Sequence, residues 1–312
     1  MRRYRLAAIL LFMFLIPLSA ALPQTPGVSP RIYVTDTFNN RIVSIDSMTG
    51  AGWTVFGSRG GSVGQFEAPW GIAVDAGGRI YIADHNNARI VRIDDITGAG
   101  WSMVKKHTQP TGIALDSNGR HYVADVYGSH IGRTNDMTGA EWVSLPTTLS
   151  PGGSGVNQFS RPRGIAVDGS GRIYVADSEN FRIIRIDDMS GTGWTTFGSR
   201  GSGVNQFNGP AAIVVDAAGR IFVADAGNHR IVRMNDMAGG GWTALGSQGN
   251  GMNQFNAPWG LVIDNGGRIY VADRENHRIV RMDSMTGAGW TTLGSRGNGV
   301  NQFNSPFGIV IR

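Results

Sequence analysis

The chain contains no cysteine and only two lysines, Lys105 and Lys106, among 312 residues. The first absence excludes disulfides, thiolate nucleophiles, cysteine-held metals and lipid attachment at a cysteine, so an exported form would depend on its packed core alone. The second bears on partners. Net charge is +5, but Arg2, Arg3 and Arg5 supply three of those charges, and no Asp or Glu precedes residue 25. Beyond that first segment the chain is close to neutral and lacks a broad basic face to follow a phosphate backbone, so no nucleic-acid partner is expected.

Residues 1–21 have the form of an export signal. A basic start is followed by an apolar run from Leu6 to Ile16, a break at Pro17 and the small-x-small site Ser19-Ala20-Ala21. The run is short for a bilayer span, and after cleavage no membrane span is expected; an uncleaved anchor extending to Leu22 is the alternative. Residues 22–30, rich in Pro, Thr and Ser, read as a leader. Residues 31–312 read as one domain, and the expected location is periplasmic or extracellular.

What the chain has in abundance is repetition. Pro162-Arg-Gly-Ile-Ala-Val-Asp168, Gly171-Arg-Ile-Tyr-Val-Ala-Asp177, Arg182-Ile-Ile-Arg-Ile-Asp187 and Gly193-Trp-Thr-Thr-Phe-Gly198 are four short β-branched runs bounded by turn residues. They read as antiparallel strands A, B, C and D. In run B, Ile173 and Val175 point one way while Tyr174 and Ala176 point the other. A sheet that is apolar on both faces has to lie between neighbours.

An aspartate closes run B in each copy, at Asp36, Asp84, Asp125, Asp177, Asp225 and Asp273, with intervals of 48, 41, 52, 48 and 48 residues. Such a period belongs to propeller blades. The first copy lacks run A, whereas the chain finishes with an isolated one, Pro306-Phe-Gly-Ile-Val-Ile-Arg312. The two halves complete one blade. The expected fold is therefore all-β: a six-bladed β-propeller of four-stranded antiparallel blades, its ring closed by the C-terminal strand.

Turn chemistry repeats too. Each A-to-B turn carries an Asp able to accept backbone hydrogen bonds and a Gly suited to positive φ, as in Asp168-Gly-Ser-Gly-Arg172. The Asp that closes run B and the Arg that opens run C, such as Asp177 and Arg182, are expected to pair. Trp53, Trp101, Trp142, Trp194, Trp242 and Trp290 recur at one position and read as blade packing.

Asp225-Ala-Gly-Asn-His-Arg-Ile231, its counterpart Asp273 to Ile279, and the preceding Pro-x-Gly-Ile/Leu-x-Val/Ile-Asp runs resemble NHL repeats. That family builds six-bladed propellers, and the resemblance covers nearly everything after the leader. It implies a scaffold rather than one activity. Similar domains serve as protein-binding or RNA-binding ends of larger regulators, as extracellular sensors of bacterial kinases and as metal-dependent lyases.

Strand A starts at the end of the blade where B meets C, so the D-to-A and B-to-C loops share one face. The residues after each proline, Trp70, Thr111, Arg163, Ala211, Trp259 and Phe307, are expected to ring the channel mouth there. Three aromatics and an Arg suit a peptide, a sugar or a flat ligand. The alternative is that they plug the channel and pack under loops such as Gln206-Phe207. The next layer adds Tyr127 and Arg274 as candidate contacts.

The third copy departs most from the pattern. Trp101 to His107 leads directly to Pro110 without the long loop seen elsewhere, His121 replaces an aliphatic residue, and His130 replaces the repeated Arg. This reads either as a notch in the rim or as a blade under relaxed constraint.

No catalytic residue is assigned. The A runs contain no His, the mouth positions carry neither His nor carboxylate, and no nucleophile motif occurs. His85 is an isolated candidate metal ligand; His229 and His277 occupy one position in successive copies and read as repeat residues. No cofactor is expected, with a divalent metal left open. The reading is an exported, monomeric binding scaffold for a protein, peptide or carbohydrate. The alternative is a secreted metal-dependent lyase or hydrolase with its site at the channel mouth.

Overall fold

The computed structural model describes residues 31–147 and 152–312. The expected export signal and leader lie outside the described residues. Six four-stranded antiparallel sheets form a closed ring. Blade 4 shows the plan: strands Pro162–Val167, Ile173–Asp177, Arg182–Ile186 and Thr195–Phe197 follow one another outward. Among the described residues no helix is long and apolar enough to cross a membrane.

Blade 1 is assembled from both ends of the chain, as the half-repeats require. Pro306–Ile311 pairs with Ile32–Asp36, Ile32 facing Ile311 and Val34 facing Ile309. Arg31 and Arg312 exchange backbone hydrogen bonds of 3.1 and 3.0 Å beyond the strand ends. The last strand is thus innermost in the first blade.

Alternation along strand B determines where each side chain goes. Ile173 and Val175 pack with Tyr122, Ala124 and Ile131 of blade 3. Tyr174 and Ala176 pack with Ile221 and Val223 of blade 5. Each pair of neighbouring blades shares one such cluster, so the core is a series of layers between sheets rather than a single centre. At about 25 cal/mol per Å² of apolar surface, these layers are the main stabilising contribution.

The Pro-x-Gly start of strand A has a steric cause. A Cβ on Gly71 would lie 2.3 Å from the Thr111 carbonyl oxygen, and one on Gly260 would lie 2.2 Å from that of Phe307. Glycine lets the innermost strands approach around the axis. The channel that remains has a volume of ≈ 90 Å³.

The two faces differ in chemistry. On one, Asp75 Oδ1 accepts the Arg79 N–H at 2.9 Å while Oδ2 accepts Arg79 Nε and the Tyr81 hydroxyl at 2.6 and 3.1 Å. Equivalent carboxylates cap the other A-to-B turns. On the opposite face the B-to-C turns meet the D-to-A loops, Asn86 N–H donating to the Glu67 carbonyl at 3.0 Å. That second face carries the candidate site.

Candidate functional site

An aromatic cluster lines the channel at its mouth. Trp70, Trp259 and Phe307 lie with ring centroids 4.7, 4.9 and 5.4 Å apart. Phe307 is 3% exposed, whereas both tryptophans keep part of their surface in solvent. His85 stacks on Trp70 at 4.0 Å with planes 9° apart. The rings of Trp70, Trp259 and Phe307 line the channel, and the Gln206-Phe207 loop does not pack on them. Phe207 packs instead on Trp242, at 5.4 Å.

Two guanidinium groups lie over the part-exposed Trp259 indole. Arg163 lies 4.9 Å and Arg274 5.0 Å from the Trp259 ring centroid, within cation–π range. Arg274 is also 5.1 Å from Phe307. Burial draws the Arg163 guanidinium below its ordinary value, and Glu179 opposes that shift; the group stays cationic because the arginine pKa is so high. Its nearest carboxylate, Glu179, stands 3.9 Å away, too far for a hydrogen bond.

Beside this cluster lies a depression of ≈ 630 Å³, lined by Trp70, Arg163, Trp259, Arg274, Arg200 and Phe181 among others. Blade 5 makes the space. Gly209, Ala226 and Gly227 contribute almost no side chain to it, where neighbouring blades carry Glu179 or Glu275 at the position of Gly227. Sequence reasoning missed Arg200 and Phe181, whose cation–π pair at 5.0 Å borders the depression. The available signal was the run of small residues in one copy.

The other candidates fall elsewhere. Thr111 is 3% exposed, and its hydroxyl hydrogen-bonds the Arg163 carbonyl at 2.9 Å, a link between blades. Tyr127 is 76% exposed on blade 3 and does not line the depression. His85 Nδ1 lies 3.1 Å from the Pro110 carbonyl. His229 and His277 adopt φ of 54° and accept the N–H of Ala257 and Ser305 at 3.0 Å, as Asn40 does for Ala68. These three imidazoles join successive blades rather than converge.

One grouping of metal-ligating side chains occurs among the described residues, and it lies away from the mouth. His107, Asp125 and His130 of blade 3 are all buried, with one donor atom from each within 4.8 Å of the others. The sequence shows these residues as scattered, because 23 positions separate the two histidines.

The geometry defines a closed six-bladed propeller with a cationic, aromatic depression on one face. Four of the six blades match the NHL repeat family, at residues 66–93, 159–186, 207–234 and 255–282. No curated protein matches the sequence. A chain of the nidogen/laminin complex superposes with a TM-score of 0.70 at 20% identity, over 90% of this chain and 98% of that one. A streptogramin B lyase gives 0.54 at 20% identity, over 78% and 72%. A catalytically inactive virginiamycin B lyase from Staphylococcus aureus with quinupristin gives 0.52 at 19%, over 74% and 75%. At these identities the likeness is one of fold.

Proposed function

We propose that this protein is an exported binding scaffold that recognises an acidic segment of a partner protein through the depression beside Trp259. The observation that carries the reading is the pair Arg163 and Arg274, whose guanidinium groups both lie about 5 Å from the ring centroid of one part-exposed indole. Planar guanidinium groups bind carboxylates in two-point fashion, and a tryptophan among them contributes apolar area, the composition that dominates protein interfaces. A chain of the same architecture occurs in a solved protein complex, that of nidogen with laminin.

The alternative, a metal-dependent lyase or hydrolase at the mouth, gains little from this arrangement. The Nδ1 atoms of His85, His229 and His277 are each engaged with a backbone group.

The test is titration of the purified protein with fluorescent peptides that alternate acidic and aromatic residues, beside basic and neutral-sugar controls. Trp259→Ala and the double variant Arg163→Ala/Arg274→Ala should each weaken acidic-peptide binding by at least about 10-fold with unchanged melting. Equal affinity in both variants would refute the site, and preference for the sugar would replace the partner class.

A further inference from the structure

Five blades hold the buried carboxylate at the end of strand B in one way. The Arg that opens strand C donates Nε to Asp Oδ2 at 2.7–2.9 Å. An Asn two residues earlier donates Nδ2 to the same oxygen at 2.7–2.8 Å. A Phe three residues before the strand-A proline covers the neighbouring Trp, with centroids 5.2–5.4 Å apart.

Blade 3 changes all three partners at once. Arg becomes His130, Asn becomes Gly128 and Phe becomes His107, while Asp125 stays. His107 sits edge-on to Trp142 at 4.9 Å, where the other blades have Phe. A fourth change makes room for that indole: a Cβ on Gly132 would lie 2.0 Å from Trp142, at a position where other blades carry Val or Ile. His107 and His130 are 8% and 3% exposed, and neither Nδ1 atom has a hydrogen-bond partner. Asp125 is fully buried and accepts from Thr108 and from backbone N–H groups, but no side-chain cation touches it within hydrogen-bonding range.

Two unpartnered buried imidazoles facing a buried carboxylate match the donor set of a zinc-class ion, which prefers nitrogen ligands, rather than calcium or magnesium, which prefer oxygen. His107 Nδ1 and Asp125 Oδ2 stand 4.0 Å apart. Donors in a tetrahedral site at about 2.0–2.1 Å from the ion lie roughly 3.4 Å from one another, so a small side-chain rotation brings this pair into place.

We propose that His107, Asp125 and His130 bind one divalent transition-metal ion, which supplies in blade 3 the positive charge that a guanidinium supplies in the other five. The site is structural in position, beside Trp142 at the junction with blade 2, and none of its three residues lines the depression.

The experiment uses the full chain without a polyhistidine tag, stripped with chelator and titrated calorimetrically with zinc chloride. One equivalent should bind, and cobalt(II) should give the visible absorption of a four-coordinate site. At zinc concentrations about 100 times the dissociation constant, the melting temperature should rise by roughly 5 °C. His107→Phe/His130→Arg, which restores the side chains of the other blades, should fold, weaken zinc binding at least about 100-fold and lose the metal-dependent rise in melting. His107→Gln gives the same reading without rebuilt packing. Absence of stoichiometric binding in the unmodified protein overturns the proposal, and so does zinc bound as tightly by these variants.

Discussion

Blade 2 and blade 3 are neighbours with the same backbone plan and different ways of holding one buried charge. In blade 2, Arg89 is 2% exposed; its Nε meets Asp84 at 2.7 Å, and its Nη atoms donate to the carbonyls of Gly61 and Gln65 in the preceding loop at 2.7 Å. The guanidinium therefore ties carboxylate, strand and loop together. In blade 3 that loop is shorter, so the Nη atoms of a guanidinium would lack its carbonyls, although Asp125 remains. The carboxylates respond differently. Burial raises the Asp84 carboxyl, against opposing hydrogen bonds. Burial also pushes Asp125 upward, but hydrogen bonds from Thr108 and Gly128, with His130 beside it, outweigh that and hold it low. The loop and the guanidinium are one unit, so losing the first removes the loop partners of the second.

The largest expected effect removes the ring within which blades can be compared. Deleting residues 306–312 takes the inner strand from blade 1 and leaves the inner edge of Ile32–Asp36 unpaired. The melting temperature should fall by more than about 10 °C, since several kcal/mol of strand pairing and apolar burial are lost. A cooperative unfolding curve at the original temperature would show that the clasp is dispensable.

A smaller effect separates the two blades directly. Arg89→Ala leaves Asp84 buried without its cation and should cost about 3–5 kcal/mol in denaturant unfolding. His130→Ala in metal-free protein should cost only about 1–2 kcal/mol, because Asp125 keeps its Thr108 and backbone donors. Equal costs would mean that the two carboxylates are held alike after all.

The smallest effect concerns acid sensitivity, again concentrated in blade 3. Burial draws His121 down to about 4. Its Nε2 has no partner, and its Nδ1 meets Thr134 Oγ1 at 3.2 Å, in a layer that is aliphatic elsewhere. Between the unfolded pKa of about 6.5 and the folded value the unfolded chain binds the extra proton, so stability present above pH 6.5 declines as pH falls toward 4. His121→Ile/Thr134→Ile should reduce that loss by roughly 1–2 kcal/mol in urea melts at pH 7 and pH 4.5. An unchanged pH slope would assign the acid sensitivity to other groups.

Much of this was legible in the chain. A half-repeat at each end implied the clasp, because each end lacks what the other supplies. Asp177 and Arg182 announced their pair by spacing alone, since strands B and C are joined by one short turn. Trp70, Trp259 and Phe307 were placed together by their common position after proline. The depression was not legible, because it depends on what Gly209, Ala226 and Gly227 fail to fill between bulky neighbours. Nor was the histidine grouping. His107 belongs to a connection and His130 to a strand, and only the path of blade 3 sets both against Asp125.

By itself, then, the sequence determined the blade, the number of blades and the closure, because alternation, turn chemistry and period are local properties repeated along the chain. The tertiary structure alone decided which departures from the repeat face one another, and hence where cations meet an indole and where imidazoles meet a carboxylate. Such meetings depend on contacts between segments far apart in the chain, which no local pattern encodes.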